Sequence, residues 1–423
     1  MKHLVKNSIN LVPIELFRLT VIIILMACQQ SSVIAVPFNT GVETSDKDRG
    51  GWLQGIAAYK GHVFFHRILI AEGRKQGYLV HVDPNKNITI SDVVYSESIE
   101  NHSHGGDIMV DGIGRIHIIY GASPGHEDSD GLHHLVSSKP LNVNSKFYMG
   151  KGFPDGIAGT YRHYENAPNG DLYAFIKSAP EDFSRGEGQL WHWNNHASTW
   201  NKVAVVNAMD GKTTYTPWLT TDNKGNVHLS WIWGDGPRHS PNRHIGSYAL
   251  YKPATGKFYK ANGSEYKSMP ITPSSADAWQ PIEPDRSWKE PEIRRATMQL
   301  DHKIRPVIKY HYIENQSRFV HWNGKEWERS IAMKSDIDGR LSVRGSNIYC
   351  HDKDKLHISK DYGKKWETIT IAPGLNANSV YKADEKGDVI LYFKDKEGPR
   401  KDIYIGYINY DDPSIILPLP PEK

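Results

Sequence analysis

Apolar and polar positions alternate along most of this chain in short runs, each introduced by a turn. Ile116-His117-Ile118-Ile119-Tyr120, Leu172-Tyr173-Ala174-Phe175-Ile176, Val227-His228-Leu229-Ser230-Trp231 and Val389-Ile390-Leu391-Tyr392 are such runs. They are rich in β-branched and aromatic residues, and Gly, Asn or Asp stands just ahead of each. A period near two bounded by turn-formers predicts β-strands joined by tight hairpins. Composition agrees: 39% of residues are hydrophobic and 11% aromatic, with Gly 36 and Pro 24. That is too apolar for disorder and too rich in turn-formers for a helical bundle.

The turn-plus-strand unit recurs seven times. Its turns are centred on Gly61, Gly114, Gly170, Gly225, Lys303, Gly345 and Gly387, at steps of 53, 56, 55, 78, 42 and 42 residues. About 40–50 residues is what one four-stranded blade requires. The expected fold is therefore all-β, a seven-bladed β-propeller over residues 51–423. The long step implies an excursion after Trp231, and its Pro- and Ser-rich stretch Pro270 to Pro291 reads as a loop or flap. Ser359-Lys360-Asp361-Tyr362-Gly363-Lys364-Lys365-Trp366 has the form S-x-D-x-G-x-x-W, and resembles the Asp-box of sialidase-like propeller blades. Asp361 is suited to bind turn amides, Gly363 to take a positive φ, and Trp366 to pack between blades. Such a box supports the architecture and says little about activity.

One apolar run does not alternate. Leu19 to Met26 follows the basic Lys2 and Lys6 and ends at Leu25-Met26-Ala27-Cys28. It is too short to span a membrane and reads as a signal-peptide core. The ending resembles the bacterial lipobox, which makes Cys28 the lipidated first residue. Residues 1–27 are then a leader, 28–50 a linker, and the protein an outer-membrane lipoprotein of the cell envelope, held at the membrane only by that anchor. Cleavage after Ala35, giving a secreted or periplasmic protein, is the alternative. Cys350 is the one other cysteine, so no internal disulfide forms; it sits in an apolar strand and reads as a small buried residue. The formal charge of +3 includes the leader's basic residues, and no basic run stands elsewhere. Nucleic acid is therefore not an expected partner.

Histidines number 21 and are unevenly placed. His102 and His104 precede one repeat, and His126 follows the strand Ile116 to Tyr120. His117, inside that strand, reads as structural. The next repeat offers Tyr161 and then Lys177 just after the strand Leu172 to Ile176. The one after offers Tyr215, Trp218, Arg238 and His244. Successive blades thus bring His, Tyr, Lys and Arg towards one side of the ring, if strands such as Leu172 to Ile176 line the channel. Carboxylates are scarce among these candidates, which argues against a paired-carboxylate glycosidase and suits an anionic substrate.

From about Asn101 to Tyr248 the chain resembles the BNR-repeat propellers that include the ulvan lyases of polysaccharide lyase families 24 and 25. The resemblance rests on three stretches: His104-Gly105-Gly106 with Val110-Asp111-Gly112, Ile116-His117-Ile118 and His126; Thr160-Tyr161 with Pro168-Asn169-Gly170-Asp171-Leu172; and Asn242-Arg243-His244 with Ser247-Tyr248-Ala249. It covers about a third of the chain, in loose motifs whose order and spacing agree. The resemblance implies β-elimination at a uronic acid of a sulfated algal saccharide, giving a 4,5-unsaturated uronate. His104 and His126 would then be base and substrate-orienting histidine, in either order. Tyr161 would donate the proton to the leaving oxygen, and serve as a second candidate for the base. The spacing from His104 to Asp111 is one residue shorter than in the family, which leaves His102 as an alternative to His104.

The family's carboxylate-neutralising arginine falls sixteen residues after that tyrosine, where this chain has Lys177. Lysine keeps the charge and loses the two-pronged fork. Tyr215, Arg238, His244 and Arg294, with His102, are the candidate sugar or sulfate contacts. Loss of water from a terminal uronic acid of an oligosaccharide, as a dehydratase, is the variant reaction. A sialidase-like hydrolase and a non-catalytic glycan-binding propeller are the competing classes. The former would need an arginine triad and a Phe-Arg-Ile-Pro start, of which Phe65-His66-Arg67-Ile68-Leu69 is a poor echo. The proposed step needs no cofactor, no ligand spacing is diagnostic of a structural metal, and a monomer is the default.

Overall fold

The computed structural model describes residues 37–45, 55–98, 106–121, 132–152, 162–180, 184–237, 242–282, 293–312, 316–330, 340–396 and 400–421. Among these the strands form seven antiparallel sheets and no helix. The four main strands of blades 1 to 6 follow chain order within their sheets. Blade 2 runs Asp107–Val110, Ile116–Gly121, Leu132–Ser137, Phe147–Met149; blade 3 runs Arg162–Asn166, Leu172–Ser178, Glu187–Asn194, Thr199–Asn207. First strands meet around a central axis: those of blades 3, 4, 5, 6, 7, 1 and 2 touch in succession. Asn166 Nδ2 closes the circle by donating to the Val110 carbonyl at 2.6 Å. The molecule is a seven-bladed β-propeller, and each of the seven repeat turns is the hairpin between a blade's first and second strands.

Carboxylates hold several of these hairpins. Asp111 Oδ1 accepts from the amides of Ile113 and Arg115, Asp222 Oδ1 from Lys224 and Asn226, and Asp301 Oδ1 from Lys303 and Arg305, at 2.8–3.1 Å. The residue three places after each aspartate takes a positive φ, Gly114 at 86° and Gly225 at 78°, and in the repeat without a glycine Ile304 takes it at 60°, with Asp301 binding the turn amides on either side. Arg115 Nε and Arg305 Nε each donate to the second oxygen of their aspartate at 2.8 Å. Their far ends bridge to neighbouring blades, Arg115 on Ser198 and Arg305 on Tyr362. Tyr362 belongs to the Asp-box, whose Asp361 accepts from Ser359 Oγ and from the amides of Lys364 and Lys365. Gly363 has φ +89°, and Trp366 packs on Phe319 of blade 5 with centroids 4.9 Å apart. The box is a hairpin clasp, as its sequence predicts.

Second strands differ from the simple alternation. Every residue of Leu172–Ser178, and all but the last of Val227–Asp235, is buried, because a blade is covered on both faces by its neighbours. Several second-strand histidines make buried hydrogen bonds. His117 meets His134 at 2.9 Å and Asp111 at 3.1 Å, which is the structural role expected of it, and His228 meets Tyr248 Oη at 2.7 Å. Cys350 is fully buried, also as expected.

Three expectations are corrected. Phe38–Ser45, placed in a linker, is the outermost strand of blade 7 and pairs with Arg400–Asn409. Thr44 also exchanges hydrogen bonds with the Ile68 backbone of blade 1, so this segment clips the last blade to the first. Part of the expected loop after Pro270 is strand Asp277–Gln280, added to Arg243–Lys252. Trp279 lies so close over Gly246 that a Cβ there would enter its ring. Finally, Leu172–Ser178 is a second strand; the axis in blade 3 is lined by Arg162–Asn166, and Lys177 lies inside its strand.

Candidate active site

Strand alternation decides where Lys177 points. It shares a face with Phe175, which packs with Leu219, Leu229 and Trp231 between blades 3 and 4. Ile176 and Ser178 take the other face, as does Glu187, the partner of Ser178 in register. Lys177 therefore enters the interface with blade 4 and meets Tyr215 there, its Nζ 4.2 Å from the ring centroid. The Arg243 guanidinium lies over the same ring at 3.8 Å. Pairing slips between Tyr215 and Trp218, where Thr216 has φ 42° and Pro217 follows. Such a bulge re-aims the side chains beside it. The Tyr215 ring then rests against Gly234, where any Cβ would collide with it.

Two cations on one ring are each held by its quadrupole and repel each other. Lys177 is 8% exposed. Burial first, and Arg243 second, push its pKa down to about 7. A flexible ammonium that is half-charged near neutrality gains from any anion that enters beside it. A half-buried guanidinium next to it offers that anion a fork.

Chain direction sets the rest of this end of the ring. His102 and His104 precede Asp107–Val110, Tyr161 precedes Arg162–Asn166, and His126 lies between Ile116–Gly121 and Leu132–Ser137. Arg238 lies between Val227–Asp235 and Arg243–Lys252. The described strands on which these segments begin or end all terminate at the end that carries Lys177 and Arg243. His102, His104, His126, Tyr161, Arg238 and Cys28 themselves lie outside the described residues, as does the side chain of Arg294, whose backbone stands near the start of blade 5 at the same end. Tyr215 and His244, expected as sugar contacts, are fully buried. Tyr215 is the platform beneath the cations, and His244 is packed opposite Trp233.

Sequence reasoning missed Arg243 as a site residue although it stands in the Asn242-Arg243-His244 motif, because nothing local pairs it with Lys177. It also missed Glu165. That carboxyl faces a cavity of about 1140 Å³, which occupies the axis from His163 and Trp218 to the hairpin end, away from Lys177. Burial raises Glu165 to about 7, and hydrogen bonds from Thr221 and Thr220 and the charge of Lys382 restrain the rise. His163 stacks on Trp218 at 3.7 Å, and burial drives it down to about 3. Among the described residues no group of three His, Cys, Asp or Glu side chains is arranged to hold a metal ion.

The geometry can be set beside known proteins. A polysaccharide lyase family 25 ulvan lyase, solved with a GlcA(1-4)Rha3S fragment bound, superposes with a TM-score of 0.60 at 14% identity, over 89% of this chain and 95% of that one. The polysaccharide lyase Uly1 superposes with a TM-score of 0.63 at 13% identity, over 85% and 90%. At such identities the likeness is one of fold. No curated protein matches the sequence. The model of a BNR repeat-containing family matches residues 79–335, more than half of the chain and five of its blades in whole or part. This protein belongs to the BNR repeat-containing family.

Proposed function

We propose that this protein is a carbon–oxygen lyase that eliminates across C4 and C5 of a uronic acid in a sulfated, ulvan-type poly- or oligosaccharide. The observation that carries the reading is the pair of cations, Lys177 and Arg243, on the buried Tyr215 ring. They stand at the ring end where the segments bearing His102, His104, His126 and Tyr161 begin. Elimination removes the C5 proton, forms the C4–C5 double bond and releases the C4 oxygen with its bonding pair. Negative charge grows on the C5 carboxylate in the transition state, and cations already fixed beside it lower the barrier. Lys177 and Arg243 take that role. One of His104, His102 and His126 removes the proton, and Tyr161 protonates the leaving oxygen. The shared fold with an ulvan lyase solved with a uronate-containing fragment, and with the polysaccharide lyase Uly1, supports the choice of substrate.

The test is incubation of purified protein with ulvan polymer, then with saturated uronate-ended oligomers, following ultraviolet absorbance of the conjugated double bond and product mass. Rising absorbance with shortening chains is the expected result. Absorbance with loss of water and intact chains makes the enzyme a dehydratase. Binding without absorbance on either substrate replaces the lyase with a glycan-binding propeller.

A further inference from the structure

Arg162 stands next to Tyr161 in sequence and is almost wholly enclosed, its side chain 1% exposed. Its Nε donates to Asp107 Oδ2 at 2.6 Å, and Asp107 is as deeply buried. Nη2 reaches the Ile119 carbonyl at 3.3 Å and Nη1 the Gly121 carbonyl at 3.4 Å. In register Arg162 lies opposite Ile176, the residue before Lys177. One planar group thus touches the start of the blade 2 strand that follows His102 and His104, and the end of the strand that precedes His126. It also belongs to the strand that begins at Tyr161 and pairs beside Lys177. Every candidate of blades 2 and 3 lies within five residues, along the chain, of Arg162 itself, of a residue its guanidinium contacts or of the residue it faces.

The rest of the interface between blades 2 and 3 does not depend on this contact. Asn166 on the Val110 carbonyl, the Gly112 amide on the Gly170 carbonyl at 2.9 Å, and Arg115 on Ser198 and Asn195 fasten it nearer the hairpin end. Fold closure is thereby separated from alignment of the catalytic end.

We propose that Arg162, acting through Asp107 and the carbonyls of Ile119 and Gly121, is a positioning residue that sets the mutual placement of the strand ends at Asp107, Gly121 and Arg162, to which the chain joins His104, His126 and Tyr161. This rests on the elimination reading above. Arg162→Lys keeps the charge and loses the planar fork, so it should fold. Its kcat on uronate oligomers should fall by at least about tenfold with KM changed less than about twofold, since misplacement by an ångström costs up to about 10²-fold. Arg162→Met takes the guanidinium away from the buried Asp107 carboxylate, whereas Asp107→Asn with Arg162→Met removes both charges. The double variant should regain melting temperature relative to Arg162→Met and regain no kcat. Recovery of kcat in step with melting temperature, or a wild-type kcat in Arg162→Lys, overturns the proposal.

Hydrogen exchange supplies a readout that needs no activity. In Arg162→Lys, exchange should quicken together in Asp107–Val110, Ile116–Gly121 and Arg162–Asn166 and stay unchanged in Asn347–Asp352 of blade 6. If the wild type eliminates nothing, the functional reading fails by itself. Exchange then decides the tie, and a change confined to Arg162–Asn166 refutes it.

Discussion

Replacing Lys177 by arginine should remove an alkaline limit on activity that the wild type carries. Burial and Arg243 hold the Lys177 ammonium at about 7. A uronate that needs this charge therefore sees about half of the molecules competent at about pH 7, and about a tenth at about pH 8. Apparent affinity should drop about fivefold over that last pH unit, which is about 1 kcal/mol. Because kcat/KM reports ionisations of the free enzyme, the loss belongs in kcat/KM and is muted in kcat. Arginine stays charged throughout this range, so Lys177→Arg should keep its kcat/KM up to the next titrating group. Lys177→Met, which keeps the stem without the charge, should be low and flat. The assay is initial rate by ultraviolet absorbance on uronate oligomers between about pH 6 and 9, with affinity checked by calorimetry. Stability runs the opposite way. A lysine whose folded pKa lies below its unfolded value of about 10.4 binds fewer protons folded than unfolded, so its contribution improves as pH rises from about 7. An unchanged alkaline limb in Lys177→Arg assigns the limb to another group, and a flat wild-type profile refutes the titration of Lys177 in this range.

Two further outcomes test the scaffold. The Gly112 amide donates to the Gly170 carbonyl, and a Cβ on Gly112 would press into the Gly170 backbone, so nothing soft is there to yield. Gly112→Ala should cost about 1–3 kcal/mol in guanidinium unfolding and leave activity per folded molecule unchanged. Burial holds His66 and His351 down at about 4 and His163 at about 3, so all are neutral in the folded protein well below the usual histidine range. Their stabilisation is complete above about pH 6.5 and is lost as pH falls towards 4, at up to about 1.4 kcal/mol per pH unit for each. Equilibrium unfolding between about pH 7 and 4.5 should show this slope, and it should lessen by one histidine's share in His351→Phe.

The hairpins of the ring were legible because each is fixed locally. A positive-φ glycine, or an aspartate bound to two turn amides, sits where the chain reverses, and an apolar strand follows within a few residues. The Asp-box is the same logic in its densest form. What a local pattern could not reveal is a strand whose partner lies at the other end of the chain. Phe38–Ser45 has no hairpin of its own, and its register with Arg400–Asn409 exists only once the ring has formed. Asp277–Gln280 was hidden likewise: Pro and Ser flank it, and its value lies in burying Trp279 against a glycine of another strand.

The candidate site divides along the same line. The family resemblance, carried sixteen residues on from Tyr161, could single out Lys177, since the described part of that interval, from Arg162 to Lys177, is a single hairpin. Histidine-rich segments could be noticed but not ranked, because a second strand enclosed on both faces uses histidine as a compact polar spacer, as His117 and His228 do. Arg243 comes from the next blade, and only packing lays it on the ring that Lys177 also covers. That contact changes what a lysine at 177 means. Two guanidinium groups over one buried phenol would be charged whether or not an anion were present, and the empty site would bear their repulsion at every pH. A lysine there lets one of the two charges lapse when the site is empty and return when a carboxylate arrives. Lys177→Arg should therefore hold uronate more firmly at alkaline pH while folding less stably without it. A variant that gained on both counts would show that Arg243 and residue 177 do not feel each other.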